Sequence, residues 1–102
     1  MPTLPKMYVL VRNDLSDTYK IVQGSHALAQ YALTVPHLFT VWGNGTIVYL
    51  GVRNYKELKF WELKLTEAKK TFSSIHEPDL DGQLTGIACF DTGDIFKGLK
   101  TA

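Results

Sequence analysis

The order of strand-like and helical segments limits the fold of this chain more than any other feature. Residues 7–12 are apolar, β-branched and aromatic, which is typical of a buried strand. A helical pattern follows over residues 18–34 and is stopped by Pro36. Beyond it the sequence predicts a short helical turn, a strand, a helix that begins at Asn54, two more strands and a terminal turn, over residues 37–42, 46–52, 54–68, 70–76, 84–90 and 94–99. This order predicts an α/β sheet of four strands covered by helices.

The length of 102 residues suits one domain. We expect residues 1–6 to form a flexible N-terminus and residues 7–102 to form the domain. The single cysteine, Cys89, leaves no disulfide within the chain, and no segment approaches the ~20 apolar residues of a membrane span. These features predict a soluble cytoplasmic protein without membrane contact. The net charge of +1 lacks the basic excess of a dedicated nucleic-acid binder.

The first long helix is predicted to have two different faces. A helical projection puts one arc against the sheet and thereby buries Ile21, Val22, Ser25, Leu28, Ala29, Ala32 and Leu33. The remaining arc carries a cation, two amides, an imidazole and a glycine, namely Lys20, Gln23, Gly24, His26 and Gln30. Free N–H groups and Lys20 would both favour an anion such as phosphate there, and His26 can exchange a proton near neutral pH. An ordinary solvent-facing surface with a half-buried histidine fits the same residue types.

The second long helix shows a clearer apolar stripe. Asn54 and Glu57 form a capping-box-like pair at its start. Phe60 and Leu63 lie off the stripe, so they are either partly covered by other elements or part of a homodimer surface. The residues predicted to face the sheet recur at helical spacing: Leu58, Trp61, Leu65 and Ala68.

Several segments resemble the peptidyl-tRNA hydrolase 2 family. Residues 6–15 (KMYVLVRNDL) are similar to the family's opening strand, and residues 20–27 (KIVQGSHA) are similar to its lysine-glutamine-histidine helix motif. Residues 84–88 (LTGIA) and 97–100 (KGLK) resemble its last strand and its ending. The resemblance implies a single-domain α/β/α sandwich with a mixed four-stranded sheet.

The resemblance also implies an activity. The expected reaction is hydrolysis of the ester that joins a peptide, or an N-blocked amino acid, to the 3′ end of tRNA, with peptidyl-tRNA as partner. Lys20 would contact phosphate or the oxyanion, while His26, helped by Gln23, would handle the proton or position water. No cofactor and no metal are implied. The expected catalytic residues are Lys20, His26, Glu77, Asp79 and Thr85, and the expected substrate-binding residues are Gln23, Gly24 and Gln30.

The acidic loop over residues 77–82 departs from the family pattern, because it is shorter and lacks the family's loop threonine. The family's aspartate would fall on Glu77, or on Asp79, and would orient Lys20 or act as base. Thr85 matches a later family threonine and would hydrogen-bond water or substrate. Two alternatives therefore stay open. One is a module of this fold that binds tRNA or a protein partner without hydrolysis, and the other is a dimerising interaction protein that binds no RNA.

Overall fold

A computed structural model describes residues 3–102 of the chain. Helices alternate with strands in the order that the sequence predicts, and Pro36 occupies the first position of a new helix directly after the first. Two 3₁₀ turns, Pro78–Leu80 and Asp94–Phe96, complete the chain. The helices are α1 (Asp17–Thr34), α2 (Pro36–Trp42) and α3 (Tyr55–Glu67), and the strands are β1 (Lys6–Arg12), β2 (Ile47–Val52), β3 (Ser73–Glu77), β4 (Gln83–Asp91) and β5 (Lys100–Thr101).

The sheet is mixed, with the strand order β3-β4-β1-β2-β5. β1 and β2 are parallel and are joined by α1 and α2, whereas β4 runs antiparallel to both β1 and β3. The ends of β1, β2 and β3 therefore meet the start of β4 at one end of the sheet. We call this the carboxyl end, and it is marked by Arg12, Val52, Glu77 and Gln83.

Two apolar clusters sandwich the sheet and confirm the α/β/α architecture. Side chains of β1 alternate between the two faces, because successive residues of a strand point to opposite sides. Met7, Val9 and Val11 pack with α1 and α2, whereas Leu10 packs with α3 on the other face. The sheet thus separates the helix with the candidate site from the helix with the apolar stripe.

The observed sheet has five strands, one more than predicted. β5 is only two residues long, too short to give an alternating pattern, and it pairs with Leu50 and Gly51 of β2. β1 begins at Lys6, within the segment predicted to be a flexible N-terminus, while Met1 and Pro2 of that segment lie outside the described residues. No helix within residues 3–102 has the length and apolar character needed to cross a bilayer.

The prediction of the sheet-facing side of α1 is wrong. The buried residues of α1 are Gln23, Gly24, Ala27 and Tyr31, and none of them was expected on the arc against the sheet. Apolar residues of the opposite arc are exposed, with 62% of the surface of Ile21 and 77% of that of Leu33 accessible. α1 thus rests on the sheet through a glycine, an alanine, a tyrosine and an amide.

Close backbone contact explains this orientation of α1. A Cβ atom added at Gly86 of β4 would lie 2.9 Å from the backbone oxygen of Gln23 and 3.2 Å from Cβ of Ala27. Ser73 Oγ of β3 donates a hydrogen bond of 3.0 Å to the carbonyl of Ala27. Larger side chains on this side would hold the helix off the sheet, so the small-residue arc packs inward.

α3 agrees with its prediction except at the last residue of the predicted stripe. Asn54 caps the helix, and its side-chain oxygen accepts a hydrogen bond of 3.0 Å from the backbone N–H of Glu57. Ala68, expected on the buried stripe, is instead the exposed C-cap. The other three residues of the stripe, Leu58, Trp61 and Leu65, are buried against the sheet.

Candidate polar site at the carboxyl end of the sheet

The start of α1 is anchored at the carboxyl end of the sheet. Ser16 is the N-cap of α1, and its hydroxyl accepts a hydrogen bond of 3.2 Å from the N–H of Tyr19. The loop between β1 and α1 is short, so the first turns of the helix stay close to the end of β1. This placement brings Lys20 and Gln23 next to the loops that follow β1 and β3.

A buried polar chain connects three of the predicted site residues. Thr85 Oγ1 donates a hydrogen bond of 2.6 Å to Gln23 Oε1. Gln23 Nε2 in turn donates one of 2.9 Å to Glu77 Oε2. Thr85 and Gln23 are buried, whereas Glu77 is partly exposed. We call these three residues the polar chain, and it links the interior of the protein to a carboxylate at the surface.

An irregularity between β3 and β4 directs Thr85 towards α1. Ile75 pairs with Gly86 but His76 pairs with Leu84, so Thr85 is an additional residue on β4. Strict alternation from Ile87 would have pointed Thr85 into the cluster beneath α3. The additional residue places Thr85 and Gly86 consecutively on the α1 face, while Leu84 stays in the α3 cluster.

Glu77 is held as an anion. The backbone N–H of Asp79 donates to Glu77 Oε1 at 3.1 Å. That hydrogen bond, the one from Gln23 and the nearby charge of His26 lower the pKa of Glu77, and they outweigh its modest desolvation. Of the two acidic candidates, Glu77 supplies the ordered carboxylate, and exposed Asp79 contributes its backbone N–H. The site therefore offers an oriented negative charge next to an exposed imidazole.

Lys20 lies beside a cleft at the same end of the sheet. Its side chain is only 15% exposed, and Nζ is 3.1 Å from Asp17 Oδ1 and 3.3 Å from Asn13 Oδ1. Within residues 3–102, neither Glu77 nor Asp79 hydrogen-bonds Lys20. The cleft has a volume of about 360 Å³, and it is lined by Val11, Asp17, Lys20, Ile21, Tyr49 and Ala102.

The other predicted binding residues lie in different surroundings. Gly24 is buried against β2, and a Cβ atom there would collide with the ring of Tyr49, so Gly24 allows close packing within the protein. Gln30 is partly buried two turns further along α1, where its carbonyl accepts a hydrogen bond from Thr34. Gln23 is buried in the polar chain, where its amide holds the carboxylate of Glu77, so it is not accessible as a binding residue.

Two residues near Lys20 were not identified from the sequence. Asn13 directly follows β1, so its position at the carboxyl end could have been inferred from the strand boundary. Tyr49 lines the cleft because it sits opposite Val9 in the parallel pair. That register depends on long-range pairing, and no local pattern in residues 46–52 indicates it.

The available groups suit proton transfer and anion binding better than covalent catalysis. Cys89 is buried between strands, and burial raises the pKa of its thiol to about 12, so the thiolate is not formed near neutral pH. The hydroxyl of Thr85 already donates its hydrogen bond to Gln23, so it is not free to act as a nucleophile. The groups that remain available for proton transfer and anion binding are the ionised Glu77, the exposed His26 and the ammonium of Lys20.

These features define a three-layer α/β protein with a polar site at the carboxyl end of its sheet. The chain is similar to a solved structure of a protein of unknown function from Agrobacterium tumefaciens strain C58, with a TM-score of 0.71 over 96% of this chain and 97% of that chain. The two sequences are 15% identical, so the likeness shows the fold alone. No protein-family model matches the sequence, and no curated protein matches it.

Proposed function

We propose that the chain is a peptidyl-tRNA hydrolase 2-like esterase that cleaves the bond between a peptide, or an N-blocked amino acid, and the 3′ end of tRNA. One observation carries the proposal. Gln23 of α1, which follows Lys20 by one helical turn, forms one hydrogen-bonded chain with Glu77 at the end of β3 and Thr85 of β4. Such a substrate would place the activity in the cytoplasm, where ribosomes produce peptidyl-tRNA.

In the proposed mechanism, water attacks the ester carbonyl and the bond to the ribose oxygen breaks. His26 accepts the proton of the attacking water and returns it to the departing ribose oxygen. Glu77, ionised and held by Gln23, stabilises the imidazolium that forms on His26 during the reaction. Thr85 positions Gln23, so it acts through the carboxylate without contacting substrate.

Lys20 supplies the positive charge of the site. Its ammonium pairs with Asp17 and Asn13 at the edge of the cleft, and a phosphate of the tRNA terminus would replace these partners. The N–H groups of the first turn of α1 add to the attraction for an anion. The cleft beside Lys20 would hold a phosphate near the tRNA terminus, and the ester would have to extend from it along α1 to reach His26.

The direct test is release of a labelled N-blocked amino acid from aminoacyl-tRNA. Glu77→Gln, His26→Ala and Lys20→Ala are each expected to lower turnover by about 10²-fold or more. Lys56→Ala on α3 is the matched control, because it removes an exposed cation from the opposite face of the sheet. Its turnover should equal that of the wild-type chain. Full turnover of the three site variants, each shown by circular dichroism to be folded, would contradict the proposed roles.

A module that binds tRNA without hydrolysing it is the second candidate. Two observations favour it: the Thr85 hydroxyl is sealed inside the protein, and Lys20 is paired with Asp17. Filter binding of tRNA at two salt concentrations separates the candidates from each other and from a protein that binds no RNA. Salt-dependent binding with an intact ester would establish the module, and absence of binding would exclude both.

A further inference from the structure

The outward face of α3 carries two exposed apolar side chains, of which Phe60 meets the ring of its neighbour Trp61 edge to face. Phe60 and Leu63 are each 57% exposed. They project away from the sheet, because Leu58, Trp61 and Leu65 on the opposite side of the helix are buried. Grooves of about 590 and 610 Å³ border Phe60, and Lys56 lines both of them. Two large side chains thus form an exposed ridge between two concave surfaces.

Charged residues frame this ridge in a symmetric order. Lys56 lies four residues before Phe60, and Glu67 lies four residues after Leu63, so all four residues fall on one stripe of the helix. Within residues 3–102, neither Lys56 nor Glu67 forms an ion pair. We call Lys56, Phe60, Leu63 and Glu67 the α3 stripe.

The neighbouring charges of α3 are already satisfied within the chain. Lys59 pairs with Glu62 at 3.0 Å, and Arg53 pairs with Glu57 at 2.6 Å. Lys64 Nζ lies 4.6 Å from the centre of the Trp61 ring. The free opposite charges of the α3 stripe are therefore left at its two ends.

We propose that the α3 stripe is the interface of a twofold dimer, in which α3 packs antiparallel to α3 of a second copy. A twofold axis through the midpoint between Phe60 and Leu63 sets Phe60 of one copy against Leu63 of the second copy, and the reverse. The same rotation sets Lys56 opposite Glu67 at both ends of the interface. A stripe that complements itself under a twofold rotation is what an isologous dimer requires.

This dimer does not depend on the proposed function. α3 covers the face of the sheet opposite α1, so both copies would keep the cleft beside Lys20 open. One pair of helices covers less area than the roughly 1,200–2,000 Å² of a standard stable interface. Dimerisation is therefore expected to depend on protein concentration, with a dissociation constant on the order of micromolar or weaker.

Sedimentation velocity over a concentration series tests the interface. The wild-type chain should shift from the 11.5 kDa monomer towards twice that mass as concentration rises. Lys56→Glu places two like-charged pairs in the dimer, and so does Glu67→Lys, so each variant alone should stay monomeric at concentrations where the wild type dimerises. An equimolar mixture of the two variants restores both opposite-charge pairs and should dimerise again. Lys97→Glu, an equal change of net charge elsewhere, should dimerise like the wild type.

Several outcomes would overturn the proposal. A wild-type chain that remains monomeric at millimolar concentration excludes the dimer and leaves the stripe to a different partner. A dimer that persists in the Phe60→Ser/Leu63→Ser variant uses another surface. Failure of the mixed variants to associate, with both shown to be folded by circular dichroism, excludes the antiparallel arrangement.

Discussion

The two long helices lie on opposite faces of one sheet and contact it in different ways. α3 presents Leu58, Trp61 and Leu65 to the sheet, as its apolar periodicity predicts. α1 instead buries Gln23 and Gly24 and leaves Ile21 in solvent. Both helices are amphipathic to a similar degree, but only one of them turns its more apolar face inward.

The contrast shows that the distance between a helix and the sheet can decide which side of the helix is buried. Along α1, Gly24 meets the ring of Tyr49, and Gly86 of the sheet meets the backbone of Gln23. These contacts hold the helix closer than large aliphatic side chains would permit. Hydrogen bonds from Ser73 and Thr85 then supply the partners that buried polar groups require. Packing of α1 thus combines small residues with polar pairing, whereas packing of α3 relies on apolar volume.

The largest effect is expected from shortening a buried leucine of α3. Leu58→Ala should lower the free energy of unfolding by about 2–5 kcal/mol, because it removes a fully buried side chain and leaves a cavity. Leu33→Ala in α1 is the matched control and should change it by less than about 0.5 kcal/mol, since Leu33 is exposed. Chemical denaturation measures both free energies. A similar loss of stability in the two variants would show that the two helices do not pack in different ways.

Adding one methyl group should test the close approach of α1. Gly86→Ala is expected to cost about 1–3 kcal/mol of unfolding free energy, because its new Cβ meets backbone of α1 that cannot move independently. Gly24→Ala should cost less, because the obstacle is the far end of the partly exposed Tyr49 side chain, which can rotate. Equal thermal stability of the wild type and Gly86→Ala would show that α1 is not held by backbone contact.

Removal of the Thr85 hydroxyl should weaken the polar attachment of α1. Thr85→Val leaves the buried Gln23 Oε1 without its donor and is expected to cost about 1 kcal/mol or more. The Gln23→Leu/Thr85→Val double variant should cost less than the sum of its single variants, because no unpaired group remains between the two positions. Additive losses in denaturant unfolding would argue against coupling within the polar chain.

The smallest effect is expected from titrating the end of the polar chain. The pKa of Glu77 lies below its ordinary value of 4.5, because the Asp79 N–H and Gln23 bond the charged form. A lowered pKa stabilises the fold at pH values above 4.5, and this contribution disappears as the pH falls through the folded-state pKa. The stability difference between the wild type and Glu77→Gln should therefore shrink from pH 7 to pH 3 in denaturant titrations. A constant difference would show that the carboxylate charge contributes nothing.

Local patterns were sufficient for most of the fold. The strand at residues 84–90 and the helix capped by Asn54 each carry their own signal, in an apolar run and in a capping residue. The direction of Thr85 carries none, because it depends on how His76 and Leu84 pair across the sheet. The buried side of α1 likewise depends on Gly86, more than fifty residues away in sequence. The family resemblance identified both Gln23 and Thr85 as site residues, but the hydrogen bond between them follows only from the tertiary structure.

The additional residue in β4 reverses the alternation of side chains between the two faces of the sheet. Upstream of it, side chains are out of phase with those downstream, so Leu84 and Ile87 share one face although three positions separate them. If side chains alternated regularly upstream of Ile87, Thr85 would instead point into the apolar layer under α3, and Glu77 would lose its link to the interior. One additional residue in a strand is thus enough to connect a surface carboxylate to the interior, while the pairing of β4 with β1 stays regular.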